Sequence, residues 1–425
     1  MKLAIQFVDR LLELDIPSHN MIFDVAPRDV PPVADFDGTI RQALADPIGT
    51  PCLAEMVKPG MKVILICDDN TRVTPVGQIL PLLLEELNRA GIPDRDIRII
   101  LASGTHRQMT EDEIQVKYGQ EITQRVAVIR HHYKDPDELT NFGVTDRGIP
   151  VVVNRSIVEA DFRIAVGNIV PHHPAGWAAG AKAVLPGVGG EETVAAMHLL
   201  GSRFPALGQR ESVMRQEMED FARVIQLDFI LNVILNREAE LVGAVAGHYM
   251  KAHQAGVEIA KTVYGVPIPE LADLTISSAS PMDFDFFQGD KGITSAELST
   301  HKGGEIVLVA GCVEGISPAH PELAEYVGAM SSEEIWKLVA AKAIKDPLTA
   351  AEAIVINDIR AKMAISLLSR GIPPEQCQRL GFTYIAEDSL NDYIAGRIQQ
   401  RPEIKIGILR HSADILPLWG TGGGV

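Results

Sequence analysis

The sequence predicts an α/β fold made of two domains with largely parallel sheets. Short apolar runs alternate with amphipathic segments of helical length, which is the order of βαβ units. At 425 residues the chain is long enough for two hydrophobic cores, and Val-Pro-Ile-Pro at residues 266–269 interrupts the alternation as a linker would. We therefore expect one domain over residues 1–268, a second over residues 269–410, and a tail, residues 411–425, that can return to the first.

Three predicted strands of the first domain each run into a polar loop. The strands cover residues 61–67, 97–101 and 162–166. The loops that follow them contain Asp69 and Arg72, then His106, then His172. Because ligands of open parallel sheets bind beyond the carboxyl ends of the strands, we expect these four side chains to converge.

The other elements continue the alternation. In the first domain we predict a helix over residues 75–89 and another from Thr110, which forms a capping box with Glu113. In the second domain we predict strands over residues 274–278, 306–310, 382–386 and 404–409, with helices over 321–345, over 349–369 and from Leu390. A cleft between two such domains is the usual place for an active site, and we expect it there.

Charge and composition exclude several classes of partner. The formal net charge of −17 argues against nucleic acid, because phosphate backbones are bound by a basic face. The first ten residues meet charge too early for a signal peptide, and no uncharged apolar run reaches the roughly 20 residues that span a bilayer. We expect a cytoplasmic protein that acts on a small molecule, without a membrane partner; the sequence does not indicate its oligomeric state.

The four cysteines are scattered and form no CxxC pair; they are Cys52, Cys67, Cys312 and Cys377. This spacing is typical of neither a zinc knuckle nor a disulfide framework. We predict buried free thiols, so that any metal would be held mainly by histidine or by a cofactor.

The segment around Lys182 combines small residues with reactive ones. Small neighbours let a ligand approach the backbone closely, and a glycine-rich turn precedes a predicted helix start at Glu191, a geometry suited to binding phosphate through backbone N–H groups. The glycines of this turn are Gly187, Gly189 and Gly190. The turn matches neither GxGxxG nor GxxxxGK[ST], so an ordinary turn beside a solvated lysine is the alternative.

Several polar residues have a functional and a structural interpretation. His106 and His172 follow different strands toward one crevice, which favours an acid/base pair. Asp69 and Arg72 form either a loop-stabilising ion pair or a site in which Arg72 binds a carboxylate or phosphate. In the second domain, Gln288 and Lys291 could supply an amide and a cation to a hydroxy-carboxylate. The remaining histidines, among them His131 and His253, lack such placement and stay unassigned.

Taken in order, these residues resemble the nickel-pincer-nucleotide lactate racemase family of 2-hydroxy acid racemases and epimerases. The matching pieces are Asp69-Asn70-Thr71-Arg72, Ser103-Gly104-Thr105-His106-Arg107, His172-x-x-Ala175-Gly176-x-x-x-Gly180-x-Lys182-x-x-Leu185-Pro186-Gly187 and His198, supported by Asp46-Pro47-Ile48-Gly49 and Gln288-x-x-Lys291-Gly292. Lys182 comes ten positions after His172, and His198 comes sixteen positions after Lys182. The resemblance covers most of the chain.

The resemblance implies a role for each matched residue. His106 and His172 match the catalytic acid/base pair, and His198 matches the protein ligand of nickel. Lys182 matches a lysine that can be joined covalently to the cofactor, with Asp69, Arg72 and the glycines of the turn nearby. Arg72, Gln288, Lys291 and Trp177 are the expected substrate contacts. The implied cofactor is nickel held in a pyridinium-3,5-bisthiocarboxylic acid mononucleotide, and the implied partners are the enzymes that make it.

The implied reaction inverts the C2 centre of a 2-hydroxy acid. Removal of the α hydrogen as hydride, while a base takes the hydroxyl proton, gives a planar 2-keto acid, and return to the other face inverts the centre. With Asp283 and Asp285 near the expected pocket, lactate, malate and an aldonic acid are the candidate substrates. The alternatives are a nicotinamide-dependent dehydrogenase, which would want a glycine fingerprint after an N-terminal strand, a zinc hydrolase using the three histidines, and a non-catalytic nickel-nucleotide carrier or sensor.

Overall fold

The computed structural model describes residues 2–420, which form two compact units. The central unit comprises residues 29–263, and the split unit combines residues 2–28 with residues 264–420. The second boundary lies close to the predicted linker. The first boundary corrects the domain prediction, since residues 2–28 join the C-terminal part of the chain instead of the first domain. Residues 411–420 also belong to the split unit, and the rest of the predicted tail, residues 421–425, lies outside the described residues.

The strands and helices alternate along most of the chain. The strands are β1 (Lys2–Phe7), β2 (Arg10–Asp15), β3 (Met21–Val25), β4 (Val63–Cys67), β5 (Ile97–Leu101), β6 (Ala127–Ile129), β7 (Leu139–Val144), β8 (Pro150–Asn154), β9 (Phe162–Asn168), β10 (Pro171–His172), β11 (Gly176–Trp177), β12 (Phe229–Leu235), β13 (Leu241–Gly247), β14 (Gly265–Pro267), β15 (Ala272–Ser278), β16 (Thr300–Val309), β17 (Ala364–Leu368), β18 (Thr383–Ile385), β19 (Ile406–Leu409) and β20 (Leu416–Leu418).

The α-helices are α1 (Phe36–Ala45), α2 (Leu53–Met56), α3 (Val76–Arg89), α4 (Glu111–Tyr118), α5 (Gln120–Arg125), α6 (Arg155–Glu159), α7 (Glu191–Arg203), α8 (Val213–Val224), α9 (Lys251–Tyr264), α10 (Phe286–Gly289), α11 (Lys291–Glu297), α12 (Leu323–Tyr326), α13 (Ser332–Ala340), α14 (Pro347–Arg360), α15 (Pro374–Arg379) and α16 (Leu390–Gln400). Short 3-10 helices cover Asp94–Asp96, Gly180–Ala183 and Glu387–Ser389.

The central unit is built on a six-stranded sheet in the order β13-β12-β9-β4-β5-β6. All neighbours are parallel except β12 and β13. Strand β4 is buried along its whole length, as expected for an apolar run covered on both faces. Helix α3 buries Ile79, Leu83 and Leu87 completely, one turn apart, against this core. The predicted α/β class with largely parallel sheets is confirmed.

The split unit contains a second six-stranded sheet, all parallel, in the order β18-β17-β16-β15-β19-β3. Its edge strand β3 comes from the N-terminal segment and pairs with β19. The hairpin β1–β2 adds Ile5, Phe7 and Leu14 to the same core, all buried. The N-terminal segment therefore belongs here because its apolar face and its strand edge are both completed by the C-terminal part of the chain.

Two predicted helices of the second domain are wrong. The helix expected over residues 349–369 ends at Arg360 as α14, and its last part forms strand β17 in the middle of the sheet. Likewise the helix expected over residues 321–345 is two helices, α12 and α13, separated by Gly328 at φ +82°. The first error arises because the period of an apolar run alone does not separate a buried strand from a buried helix. The second arises because Gly328, in the left-handed region, interrupts the helical run.

Two expectations from composition can be compared with the structure. All four cysteines are free thiols, of which Cys67, Cys312 and Cys377 are buried and Cys52 is half-buried. Within residues 2–420, no helix combines the length and apolarity needed to cross a membrane.

Candidate functional site

The three polar loops singled out in the sequence leave adjacent strands of the central sheet. Strand β4 lies between β5 and β9 and is parallel to both. The loops after β4, β5 and β9 carry Asp69 with Arg72, His106 and His172, and therefore start from one edge of the sheet. Gly104 in the β5 loop also donates its N–H to the Gly187 carbonyl at 2.7 Å, which ties this edge to the glycine-rich turn.

Asp69, Thr71 and His106 form a compact hydrogen-bonded group. One oxygen of Asp69, Oδ2, lies 2.7 Å from His106 Nδ1. The other, Oδ1, accepts from the Thr71 hydroxyl at 2.5 Å and from the Thr71 amide at 3.0 Å. Arg72 donates to the Thr71 carbonyl at 2.8 Å and to its hydroxyl at 3.1 Å. The sequence indicated three of these four residues; Thr71 became recognisable only through its contacts.

The charge on Asp69 determines the tautomer of His106. Burial alone would raise the pKa of Asp69, which is 2% exposed, but His106, Thr71 and Arg72 outweigh it and hold the pKa below the ordinary value. Because a carboxylate only accepts hydrogen bonds, His106 Nδ1 must carry the hydrogen. His106 is a quarter exposed, and this tautomer makes Nε2 the nitrogen that can take up a proton.

Helix α4 holds the first two loops together. Glu113 closes the predicted capping box with Thr110, receives two hydrogen bonds from Arg107 at 2.7 and 2.9 Å, and accepts from Asn70 at 3.2 Å. One turn later, Lys117 donates to the carbonyls of Arg72 at 2.7 Å and Thr74 at 3.3 Å. The capping box was predicted, whereas its link to the site was not.

His172 and Lys182 lie on the segment that follows β9. His172 ends β10, opposite Gly176 in β11. Lys182 lies in the 3-10 helix Gly180–Ala183, and both side chains are half-buried. Their chemical roles remain predictions.

The glycine-rich turn does not present the N–H groups that the sequence suggested for phosphate. Gly187 donates to the Lys182 carbonyl at 3.2 Å, Gly189 to Pro186 at 3.0 Å and Gly190 to Val152 at 2.9 Å. A Cβ on Gly187 would lie 2.2 Å from the Ala183 carbonyl oxygen, so glycine is required there for close packing. Any part these glycines play in binding a cofactor would have to use atoms other than their amides.

His198 lies on α7, and one of its ring nitrogens is hydrogen-bonded to the helix backbone. Its Nδ1 is 2.8 Å from the Val194 carbonyl, which only accepts, so Nδ1 carries the hydrogen and Nε2 has the lone pair that a metal needs. Within residues 2–420, no three His, Cys, Asp or Glu side chains are grouped to hold a metal.

Trp177 does not have the open position expected of a substrate contact. The side chain is 1% exposed, and its indole N–H donates to the Gly208 carbonyl at 3.0 Å. Both observations describe a core residue that anchors β11, and its expected contact with the substrate stays a prediction.

In the split unit, Gln288 and Lys291 lie together after β15. Lys291 Nζ donates to the Gln288 side-chain oxygen at 2.5 Å. The backbone N–H of Gln288 donates to Asp285 Oδ1 at 2.8 Å. Asp283 accepts from the Gly311 amide at 2.5 Å. The two aspartates thus have structural partners, and the pair of Gln288 and Lys291 keeps an amide NH₂ and a cation in one place.

A buried histidine supports this loop from the side. His320 stacks on Phe287 with ring centroids 5.4 Å apart, and its Nδ1 lies 2.7 Å from Asp346. Asp346 also caps helix α14 through the amides of Leu348 and Thr349. The sequence offered no local signal for this contact, because the residues are far apart in the chain.

The chain is similar in sequence to known lactate racemases. Residues 7–207 match the family model of the lactate racemase N-terminal domain. The lactate racemase of Lactiplantibacillus plantarum is 33% identical over 283 residues, and that of Thermoanaerobacterium thermosaccharolyticum is 31% identical over 282 residues. Each alignment spans 65% of this chain and 66% of the relative.

Solved structures show the same fold. The lactate racemase apoprotein of Thermoanaerobacterium thermosaccharolyticum superposes with a TM-score of 0.87 over 98% of this chain and 100% of that chain, at 24% identity. A protein from Thermotoga maritima superposes with a TM-score of 0.72 over 90% of this chain and 98% of that chain, at 21% identity.

A parallel sheet with an aspartate–histidine pair beyond the carboxyl ends of its strands is typical of α/β enzymes. The matches to the N-terminal domain and to the two sequence relatives place this chain further. The chain belongs to the lactate racemase family, whose named members are isomerases.

Proposed function

We propose that this protein inverts the C2 centre of a 2-hydroxy acid. The observation that carries the proposal is the Asp69–His106 pair, in which Nδ1 is held as a donor and Nε2 is left to exchange a proton. The pair lies in the part of the chain that matches the lactate racemase N-terminal domain. In the proposed reaction, His106 removes the hydroxyl proton of one enantiomer, and the hydroxyl group of the product enantiomer receives its proton from His172.

His172 is the proposed partner for the opposite enantiomer. An inversion presents the hydroxyl group in two orientations, which a single imidazole would serve poorly, and His172 follows the strand next to the one that leads to Asp69. Arg72, held by Thr71 and Lys117, is proposed to bind the substrate carboxylate. Gln288 and Lys291 are proposed to add an amide and a second cation.

A nickel-pincer nucleotide is the proposed cofactor. When bound, it supplies acceptance and return of the substrate's α hydrogen as hydride. His198 fits the role of the protein ligand, because its Nδ1–H is fixed by Val194 and its Nε2 has the lone pair. Lys182 is the proposed attachment point. The amides of the glycine-rich turn are engaged within the protein, so the nucleotide phosphate must be bound by other groups.

Lactate is the substrate we propose first. The relatives that match by sequence are named lactate racemase. Asp283 and Asp285, which the sequence offered to the hydroxyls of a longer sugar acid, accept from backbone amides instead. A small 2-hydroxy acid needs none of these carboxylates, whereas an aldonic acid would need several hydroxyl partners.

Nickel content and intact mass test this proposal directly. Protein co-produced with the enzymes that make the cofactor should contain near-stoichiometric nickel and a nucleotide-sized added mass. The variant His198→Ala should lose the nickel, whereas His106→Ala should keep it and lose turnover. His132→Ala is a matched control, because His132 is exposed and pairs with Glu138. Retention of full nickel and activity by His198→Ala would remove the ligand assignment.

A chiral assay then decides the substrate. Each enantiomer of lactate, malate and gluconate is incubated with the loaded protein, and the product is separated by chiral chromatography. We expect conversion of both lactate enantiomers. Net formation of a keto acid with nicotinamide, and no inversion, would favour the dehydrogenase instead.

A further inference from the structure

The backbone just before Lys182 adopts a conformation that needs support. Ala179 has φ 61° and ψ −165°, a region populated almost only by glycine, and Gly180 follows at φ 61°. A strained residue of this kind persists only where the surrounding structure holds it. The contacts that hold it come from three elements that are distant in the sequence.

Two buried side chains take up three consecutive carbonyls of this segment. Arg215 donates to the carbonyls of Trp177 and Ala179, the second at 3.3 Å. His253 Nε2 lies 2.8 Å from the Ala178 carbonyl. Asn232 then accepts from the Gly180 amide at 3.0 Å. The three side chains, from α8, α9 and β12, are each no more than 3% exposed; we call them the carbonyl clamp.

The clamp is directly connected to Lys182. The Ala179 carbonyl accepts from Arg215 and also from the Lys182 amide, at 3.3 Å each. Any displacement of Ala179 must therefore move the first residues of the 3-10 helix that bears Lys182. A Cβ on Gly180 would lie 2.8 Å from the His253 ring. The absence of a side chain at Gly180 therefore lets the ring reach the Ala178 carbonyl.

At neutral pH, His253 and Arg215 are both in protonation states that donate hydrogen bonds to the carbonyls. Burial, and then the adjacent Arg215, lower the pKa of His253 to about 3, so the ring is neutral with Nε2–H as donor. Burial lowers the pKa of Arg215 to about 10, which leaves it charged at neutral pH. Since a buried guanidinium is costly without strong acceptors, its use on two backbone carbonyls indicates that their position matters.

We propose that Arg215 and His253 are positioning residues for Lys182. They hold the carbonyls of residues 177–179, so that the Lys182 amine stays in one orientation toward the cofactor. Only the statement that the amine is oriented toward a cofactor rests on the proposed function.

The test measures how the reactivity of the Lys182 amine depends on pH in protein that lacks the cofactor. The rate of acetylation of Lys182 by limiting acetic anhydride is followed against pH by mass spectrometry, relative to exposed lysines. Arg215→Leu and His253→Leu should shift the midpoint of this profile by roughly half a pH unit or more. His253→Gln, which keeps an N–H donor, should restore the profile of the wild-type protein.

Arg163→Leu provides the matched control. Arg163 is also buried and donates to backbone carbonyls, those of Ile157 and Ala160 at 2.7 Å, which lie outside the segment of residues 177–182. It should lower the melting temperature without moving the Lys182 profile. The proposal is overturned if both leucine variants of the clamp keep the wild-type profile, or if Arg163→Leu moves it equally. If Arg215→Leu does not fold, the two His253 variants decide.

Nickel and mass measurements on the same proteins separate this proposal from the proposed function. Wild-type protein that shows the labelling pattern but takes up no nickel, when the cofactor is supplied, overturns the proposed function and leaves the positioning of Lys182 supported. Loading that is normal in the wild type and weak in His253→Leu, but restored in His253→Gln, supports both.

Discussion

Asp69 shows how a single buried carboxylate organises the residues around it. One of its oxygens orients the imidazole of His106, and the other orients Thr71, which in turn receives Arg72. The carboxylate stays charged despite burial because these partners lower its pKa. Its loss should therefore affect proton transfer more than substrate binding.

We expect Asp69→Asn to lower kcat by roughly 100-fold or more, with a much smaller change in KM. The amide can donate to His106 Nδ1 and so favours the tautomer with hydrogen on Nε2, which cannot act as the base. Racemisation followed by chiral chromatography gives both constants. Asp228→Asn serves as the control, because Asp228 is also partly buried but accepts from Arg163. An Asp69→Asn variant with unchanged kcat would contradict the role of the pair.

Ala179→Gly tests the strain beside Lys182. Glycine adopts φ 61° and ψ −165° at little cost, so we expect the free energy of unfolding to rise by about 1 kcal/mol. The matched control is Ala222→Gly, in the last turn of α8, where the same replacement should cost about 1 kcal/mol. Urea unfolding of both variants gives the comparison, and equal losses in the two would contradict strain at Ala179.

At the residue scale, the sequence predicts polar groups that follow strands and misses groups that act through the backbone. Asp69, Arg72 and His106 stand out because a buried run ends just before each of them. Arg215 and His253 reach carbonyls 36 and 75 residues away. No local pattern marks such contacts, since a carbonyl is present at every residue.

Helix α4 is the element on which two of the loops depend. Glu113 joins Asn70 and Arg107, and Lys117 holds the carbonyls on either side of Val73. Burial lowers the pKa of Lys117, although Asp68 and Asp69 oppose the effect. The helix thus sets the path of the loop that carries Arg72.

We expect Lys117→Met to raise KM about tenfold and to change kcat less. Without the ammonium group, the carbonyls of Arg72 and Thr74 lose their donor, and Arg72 is held less firmly for the substrate carboxylate. Lys337→Met is the control, because Lys337 forms only an exposed pair with Glu333 on α13. A fall in kcat alone would place Lys117 in a different role.

The elements that the sequence mispredicts or misses have two causes. Strand β17 lies inside the sheet and is buried at four of its five residues, so it reads as a continuation of the apolar helix α14 before it. Strand β3 pairs with a strand almost 400 residues later, and nothing near it in the sequence indicates that partner. The βα pairs with local neighbours, β4 with α3 and β5 with α4, were predicted because their pattern is complete within about 25 residues.

For the whole molecule, buried neutral histidines connect stability to pH. Burial lowers the pKa of His131 to about 4, and its Nε2 donates to the Gly189 carbonyl at 2.9 Å. The unfolded chain binds a proton at His131 below about pH 6.5, whereas the folded chain does not until about pH 4. The contribution of the neutral His131 ring to the free energy of unfolding is therefore complete above about pH 6.5 and is lost as the pH falls toward about 4.

We expect His131→Gln to flatten this dependence. Between pH 4.5 and 6.5, the slope of the unfolding free energy against pH should decrease by up to about one proton, or ~1.4 kcal/mol per pH unit. Urea unfolding across this range measures the slope. His132→Gln, which removes an exposed histidine, controls for the loss of a surface group. An identical slope in wild type and His131→Gln would contradict a neutral buried ring.

The division of the chain predicts how its parts fold in isolation. A fragment of residues 29–263 contains the complete central sheet and should unfold cooperatively. A fragment of residues 264–425 lacks β3 and the apolar residues of the β1–β2 hairpin, and it should gain a cooperative transition only when residues 1–28 are added. Thermal melts followed by circular dichroism check both. A stable second fragment by itself would contradict the split unit.

The edge position of β3 also bears on the synthesis of the protein. Residues 2–28 leave the ribosome first, but β3 finds its hydrogen-bonding neighbour only after β19 has been made. The strands of the central sheet all lie between Val63 and Gly247, so that sheet can close while translation continues. Throughout this time Ile5, Phe7 and Leu14 lack the core that later buries them. The nascent chain therefore exposes an apolar N-terminal segment for most of its elongation, which makes that segment a natural target for ribosome-associated chaperones.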